Sequence, residues 1–243
     1  MSSGFTHWFI ASLIPLFLFA ATRAGSGEDK TPSLYPSPTA VFDAYRKARD
    51  KRDARTVFAI LTPQAQNDAV FESFFACIER QGADAITGRG SEVIARLVGR
   101  FLDTRTLNDD YEKQYKKKHG IDIAKVEEGH KNDPTFVPPP HDEQLWRDVV
   151  AAHVKDKAGF YEAVAKHFDE RAAERHEENP ISPLGGLEHL VVEGDTAKGS
   201  AKETILRRIA SGESPPKAGG PPPIYEKPFK FRRINDGWLL DSL

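Results

Sequence analysis

The chain has 243 residues, of which 39% are apolar and 29% charged, a composition that suits one globular domain carrying insertions. Its 34 Lys and Arg against 36 Asp and Glu give a formal net charge of -2, so no field of one sign draws it to DNA, RNA or an anionic membrane. A single cysteine, Cys77, excludes an internal disulfide framework and any zinc site that needs two thiols, which leaves stability to a core supplied with 15 Phe, 6 Tyr and 3 Trp.

Trp8 to Ala21 reads WFIASLIPLFLFAA, uncharged and followed by small residues up to Ala24. A spanning helix needs about 20 apolar residues, so this run has the size of a signal-peptide core, with cleavage after Ala24. The preceding MSSGFTH carries no Lys or Arg to orient such a peptide, so an uncleaved anchor stays open as the alternative. The expected product is secreted or periplasmic, touching a membrane only if the leader remains. Residues 25–38 are polar and rich in Pro and Ser, and are expected to form a disordered tether.

A single domain is expected over 39–243. Ser37 or Thr39 beside Pro38 starts a first helix, in which Val41, Phe42, Tyr45 and Ala48 recur at helical spacing. A short helix follows over Ala54 to Leu61. Thr62 then caps a third helix that has Pro63 in its first turn and Val70, Phe74 and Cys77 along its apolar face. Gly82 to Gly90 reads as a break, after which Ser91 caps a helix burying Val93, Ile94, Leu97, Val98, Phe101 and Leu102. Asn108 to His119 has acidic residues first and basic residues last, ends at Gly120, and shows little apolar face, so it is expected to lie outside the core. A short helical piece over Ile121 to His130 and a proline-rich connection over Asn132 to Glu143 follow. Leu145 to Phe168 then reads as two helices divided near Asp156 to Gly159.

After Pro183 the period changes from helix to strand. Leu187 to Leu206 forms two strands around Glu193-Gly194-Asp195-Thr196, and a Pro/Gly-rich loop occupies 210–223. Phe229 and Phe231 alternate with Lys230 and Arg232 before a turn at Asn235-Asp236-Gly237 and a last strand from Trp238. Helices first and about four antiparallel strands last describe an α+β fold, with N-terminal helices packed on a C-terminal antiparallel sheet.

Ala40-Val41-Phe42-Asp43-Ala44-Tyr45, Phe58 to Pro63, the Gly194-Asp195-Thr196-Ala197 turn and the closing hairpin from Phe231 to Asp241 together resemble the nuclear-transport-factor-2-like (SnoaL-like) superfamily. The resemblance covers the two ends of the chain. It implies a curved, cone-like sheet around the first helices, with an apolar pocket that Phe42, Tyr45, Phe231 and Trp238 would line, and it makes residues 104–182 a helical insertion. That superfamily holds both enzymes and binding modules. Its Asp or His/Asp catalytic pairs match no position here, so no catalytic residue is carried over.

The remaining chemistry is sparse. Cys77 stands among apolar neighbours and reads as core. His167 with Asp169, and His176 with Glu177, lack metal-ligand spacing and read as charge pairs on solvated helices, and His141-Asp142 and His153 carry still less signal. Lys116-Lys117-Lys118 reads as a solvated helix end. No glycine-rich phosphate loop is present, and neither a metal nor a cofactor is expected. The leading expectation is a non-catalytic module binding an apolar small molecule or a protein partner. The alternatives are an enzyme of isomerase, dehydratase or hydrolase type and a structural envelope protein, and a homodimer stays open.

Overall fold

Local capping chemistry sets the helix starts in a computed structural model that describes residues 34–87, 91–123, 125–126, 141–174, 182–204 and 223–242. The expected leader, most of the tether, the 210–222 loop and His176-Glu177 lie outside the described residues. Ser37 Oγ accepts from Ala40 N–H at 3.2 Å and Pro38 fills the first turn of α1 (Pro38–Asp50). The Asp53 carboxylate accepts from Thr56 N–H at 2.9 Å to start α2 (Ala54–Ala59). Thr62 Oγ1 does the same for Ala65 N–H at 3.2 Å, opening α3 (Pro63–Thr87).

After α4 (Ser91–Phe101), α5 (Leu107–His119) ends on Gly120 at φ +72°, a left-handed turn that glycine adopts without steric penalty. Asp142 and Asp156 then start α6 (Glu143–His153) and α7 (Lys157–Glu174), accepting from Leu145 N–H at 3.0 Å and Gly159 N–H at 2.8 Å.

Four antiparallel strands complete an α+β fold: β1 (Leu184–Glu193), β2 (Thr196–Thr204), β3 (Ile224–Ile234) and β4 (Gly237–Leu240), in spatial order β1-β2-β3-β4. Asn235 and Asp236 take φ of +47° and +64° between the paired Ile234 and Gly237, the two positive φ values that a type I′ hairpin requires. That turn pairs Phe231 with Leu240 and Arg233 with Trp238, so Phe229, Phe231, Trp238 and Leu240 share one face. Phe42 and Tyr45 of α1 meet that face at Phe229, with ring centroids 5.0 and 5.7 Å away.

The outer edge of β4 is covered. Tyr35 exchanges backbone hydrogen bonds with Trp238, Leu240 N–H donates to Ile60 C=O at 2.9 Å, and Thr62 N–H donates to Leu240 C=O at 2.8 Å. The opposite edge, β1, carries two register shifts, with His189 at φ +54° in the second. Such bulges bend a strand and disfavour edge-to-edge pairing.

Three expectations need correction. Helix α3 runs on to Thr87, because one glycine at 82 weakens a helix by only about 1 kcal/mol and the neighbouring Ala83 and Ala85 favour it. Val93 is 44% exposed: the buried residues are the narrower set Ile94 and Val98 of α4 and Leu102 just beyond it. Nor is α5 peripheral, since Leu107 and Tyr115 are 1% exposed and Tyr111 meets Trp146 of α6 edge to face at 4.8 Å. Two tyrosines one turn apart give this otherwise charged helix enough apolar face to join the core.

Candidate functional site

Helices α3, α6 and α7 leave an open groove of about 690 Å³ between them. Its floor exists because α3 presents small side chains at helical spacing: Ala65, Ala69, Ser73 and Ala76 stand where larger residues would fill the space. The opposite wall is Tyr161, Val164, Ala165 and Phe168 on successive turns of α7, and Ser242 closes one end. On its other face α3 buries Val70, Phe74 and Cys77, as the sequence spacing requires. Burial pushes the Cys77 thiol up to about 12, which leaves it unreactive at neutral pH.

Polar chemistry enters the groove through Arg147 of α6 and through Asp68 and Glu72 of α3. Arg147 donates to Glu143 Oε1 at 2.6 Å, lies 2.7 Å from Glu72 Oε1 and 3.9 Å from Asp68 Oδ1, and sits over the Phe71 ring at 4.4 Å. Burial disfavours its charge, yet the bonds to Glu143 and Glu72 outweigh that and hold its proton more tightly than in an ordinary arginine.

A second polar cluster lies between α1 and the sheet. Arg49 forms an ion pair with Glu203 of β2, and its other terminal nitrogen, Nη1, is buried without a hydrogen-bond partner among the described residues. Lys227 of β3 stands 5.7 Å from the Phe229 ring centroid, and burial pushes its ammonium below the usual lysine range against the pull of Glu203. The phenol of Tyr45 is pushed up by burial, with Arg49 opposing and Glu203 adding. Tyr161 is raised in turn by burial and by Tyr45, which links this cluster electrostatically to the groove.

The four residues expected to line a pocket all lie in the core: Phe42 is 0%, Tyr45 5%, Phe231 1% and Trp238 7% exposed. The groove runs along α3 and α7 and is bordered by none of them. Its signal in the sequence is the 65, 69, 73, 76 spacing of small residues, which a search for the apolar stripe of α3 does not weigh.

Asp169 pairs with Arg52 at 2.7 Å as a surface charge, but His167 is 9% exposed and lies against Phe168, so it does not belong to a solvated face. Two further histidines enter pairs that join α5 to α6, His119 Nε2 lying 2.7 Å from Asp142 Oδ2 and His153 Nε2 lying 2.9 Å from Asp110 Oδ2, while His141 stacks on Tyr111 at 5.8 Å. The lysine cluster is an ion-paired helix end, with Lys116 on Asp122 and Lys118 on Asp142. Among the described residues no three His, Cys, Asp or Glu side chains assemble into a metal-holding group, and no helix is long and apolar enough to cross a membrane. No family model, curated protein or solved structure matches the chain.

Proposed function

We propose that this chain is a secreted or periplasmic, non-catalytic module that holds an apolar small molecule in the α3/α6/α7 groove. The observation that carries this reading is the groove itself. About 690 Å³ falls within the range of small-ligand sites, and seven of the thirteen lining residues are alanine, valine or aromatic, with Ser73 on the floor and Asp68, Glu72, Gln144, Arg147 and Ser242 supplying polar groups. The resemblance to the nuclear-transport-factor-2-like superfamily is a separate proposal about the fold: α1 lies on one face of a four-stranded antiparallel sheet, but the pocket the resemblance implies there is not this groove.

Native mass spectrometry of protein purified from its natural compartment tests it. Ser73, half-buried on the groove floor, is replaced by leucine to fill the space. A small molecule retained by the wild type and absent from a folded Ser73→Leu variant is the expected result; equal retention, or none in either, would refute the binding reading. For the address, N-terminal sequencing of secreted material is expected to start at Gly25, and intact Met1 on the soluble cytoplasmic protein contradicts it.

A second reading, an enzyme using acid or base chemistry, draws on Lys227, whose half-buried ammonium is depressed beside Glu203 and Arg49. It requires a substrate bound beside Lys227, between α1 and the sheet rather than in the groove, to be turned over, and for that turnover to fall with Lys227→Met.

A further inference from the structure

We infer that the ligand of the groove is an amphiphile carrying a positive charge, an apolar chain ending in an ammonium or similar cation. The inference rests on the groove reading above and adds the sign of the ligand's charge.

It follows from a charge inventory of the rim. Of the charged side chains that line the groove, Asp68 and Glu72 are negative and Arg147, which both face, is positive, so the sum is -1. Glu143, on Arg147, and Lys157, 2.9 Å from Asn67 Oδ1, both stand outside the lining and cancel, so counting them leaves -1. Arg147 is 19% exposed, with its edge committed to carboxylates and its face to Phe71, so little of it is left to receive an anion. The carboxylates are the accessible partners: the side chains of Asp68 and Glu72 are 41% and 60% exposed, one turn apart on the groove side of α3. A cation placed there meets a rim of net negative charge on entry, whereas an anion is repelled by the carboxylate that Arg147 does not balance. The tail then lies along Ala69, Ala76, Val164 and Phe168, where burying each methylene stabilises the complex.

The test compares three probes with the same ten-carbon tail: decyltrimethylammonium, decyl sulfate and decanol. Each is titrated below its aggregation threshold into the full chain by calorimetry, with circular dichroism confirming that the fold persists. The expected result is that the ammonium binds at least tenfold tighter than either other probe, that added salt narrows the difference, and that Glu72→Gln and Asp68→Asn each reduce it severalfold. These exposed positions leave folding intact, and the decanol affinity of each variant reports any damage to the groove. Equal or tighter binding of decyl sulfate or decanol overturns the cation while leaving the groove in place, and so does a preference that survives both substitutions. Failure of all three probes to bind overturns the groove reading and this inference with it.

Discussion

Thr62 ties the start of α3 to the last strand, and replacing it with valine removes that tie while keeping the shape of the side chain. The hydroxyl accepts from Ala65 N–H at 3.2 Å and donates to Asp241 Oδ1 at 3.0 Å, in a residue only 2% exposed. Loss of a helix cap costs about 0.5–2 kcal/mol, and loss of a hydrogen bond to a charged group about 1.5–3 kcal/mol. Asp241 keeps Arg232 at 2.9 Å and its side chain is 17% exposed, so the second contribution is only partly realised. Thr62→Val is therefore expected to destabilise by about 2–3 kcal/mol. Thr62→Ser keeps both hydrogen bonds and loses one buried methyl, worth about 1 kcal/mol. Urea unfolding at constant m reads the difference, and a double-mutant cycle with Asp241→Ala reads the coupling, expected near 1 kcal/mol or more. A valine variant no less stable than the serine variant, or a coupling of zero, refutes the argument.

Asp142 is held far below the ordinary carboxylate range by hydrogen bonds from Lys118, His119 and Leu145 N–H. Its stabilisation is present above the unfolded carboxylate pKa and is lost as the pH falls below it; Asp142→Asn is thus expected to lose about 1 kcal/mol at pH 7, with the gap to wild type closing below about pH 4. A gap that widens on acidification contradicts the sign. Cys77, 1% exposed, is expected to resist a thiol reagent at pH 8 in the native protein and to react fully in denaturant; labelling of the native protein at the rate of an unhindered thiol ends that claim. Trp238, on the sheet face toward α1 and 7% exposed, is expected to lose about 3–5 kcal/mol on truncation to alanine by equilibrium unfolding, and a loss under about 1 kcal/mol places it outside the core.

Features governed by near neighbours along the chain are legible in the amino-acid sequence. Ser37-Pro38 and Thr62-Pro63 announce helix starts because a side-chain oxygen and a fixed φ act within one turn, and Asn235-Asp236-Gly237 announces its hairpin because few residues accept positive φ. Periodicity also places Val41, Phe42, Tyr45, Val70, Phe74 and Cys77 inside. It fails for α5, where a count of charges outweighs the two tyrosines that decide burial, and for His167, whose charged neighbours suggest solvent while Phe168 and the packing of α7 take it inward.

The groove is illegible for a different reason: a cavity is a property of facing surfaces, not of either one. Ala65, Ala69, Ser73 and Ala76 alone read as a helix allowing close approach, the usual consequence of small side chains, and only the position of α7 nearly 100 residues later decides whether a neighbour fills the space. Here the neighbour does not. Arg147 from α6 bridges the mouth to Glu72 and Asp68, and an ion pair between side chains on two helices holds those helices at the length of the side chains. The same arginine thus props the groove open and fixes its electrostatics, so Glu72→Gln and Asp68→Asn, which keep side-chain length and an acceptor oxygen for Arg147 but lose the charge, test ligand charge while decanol affinity reports on the walls. That separation is what allows the sign of the ligand to be tested apart from the existence of the site.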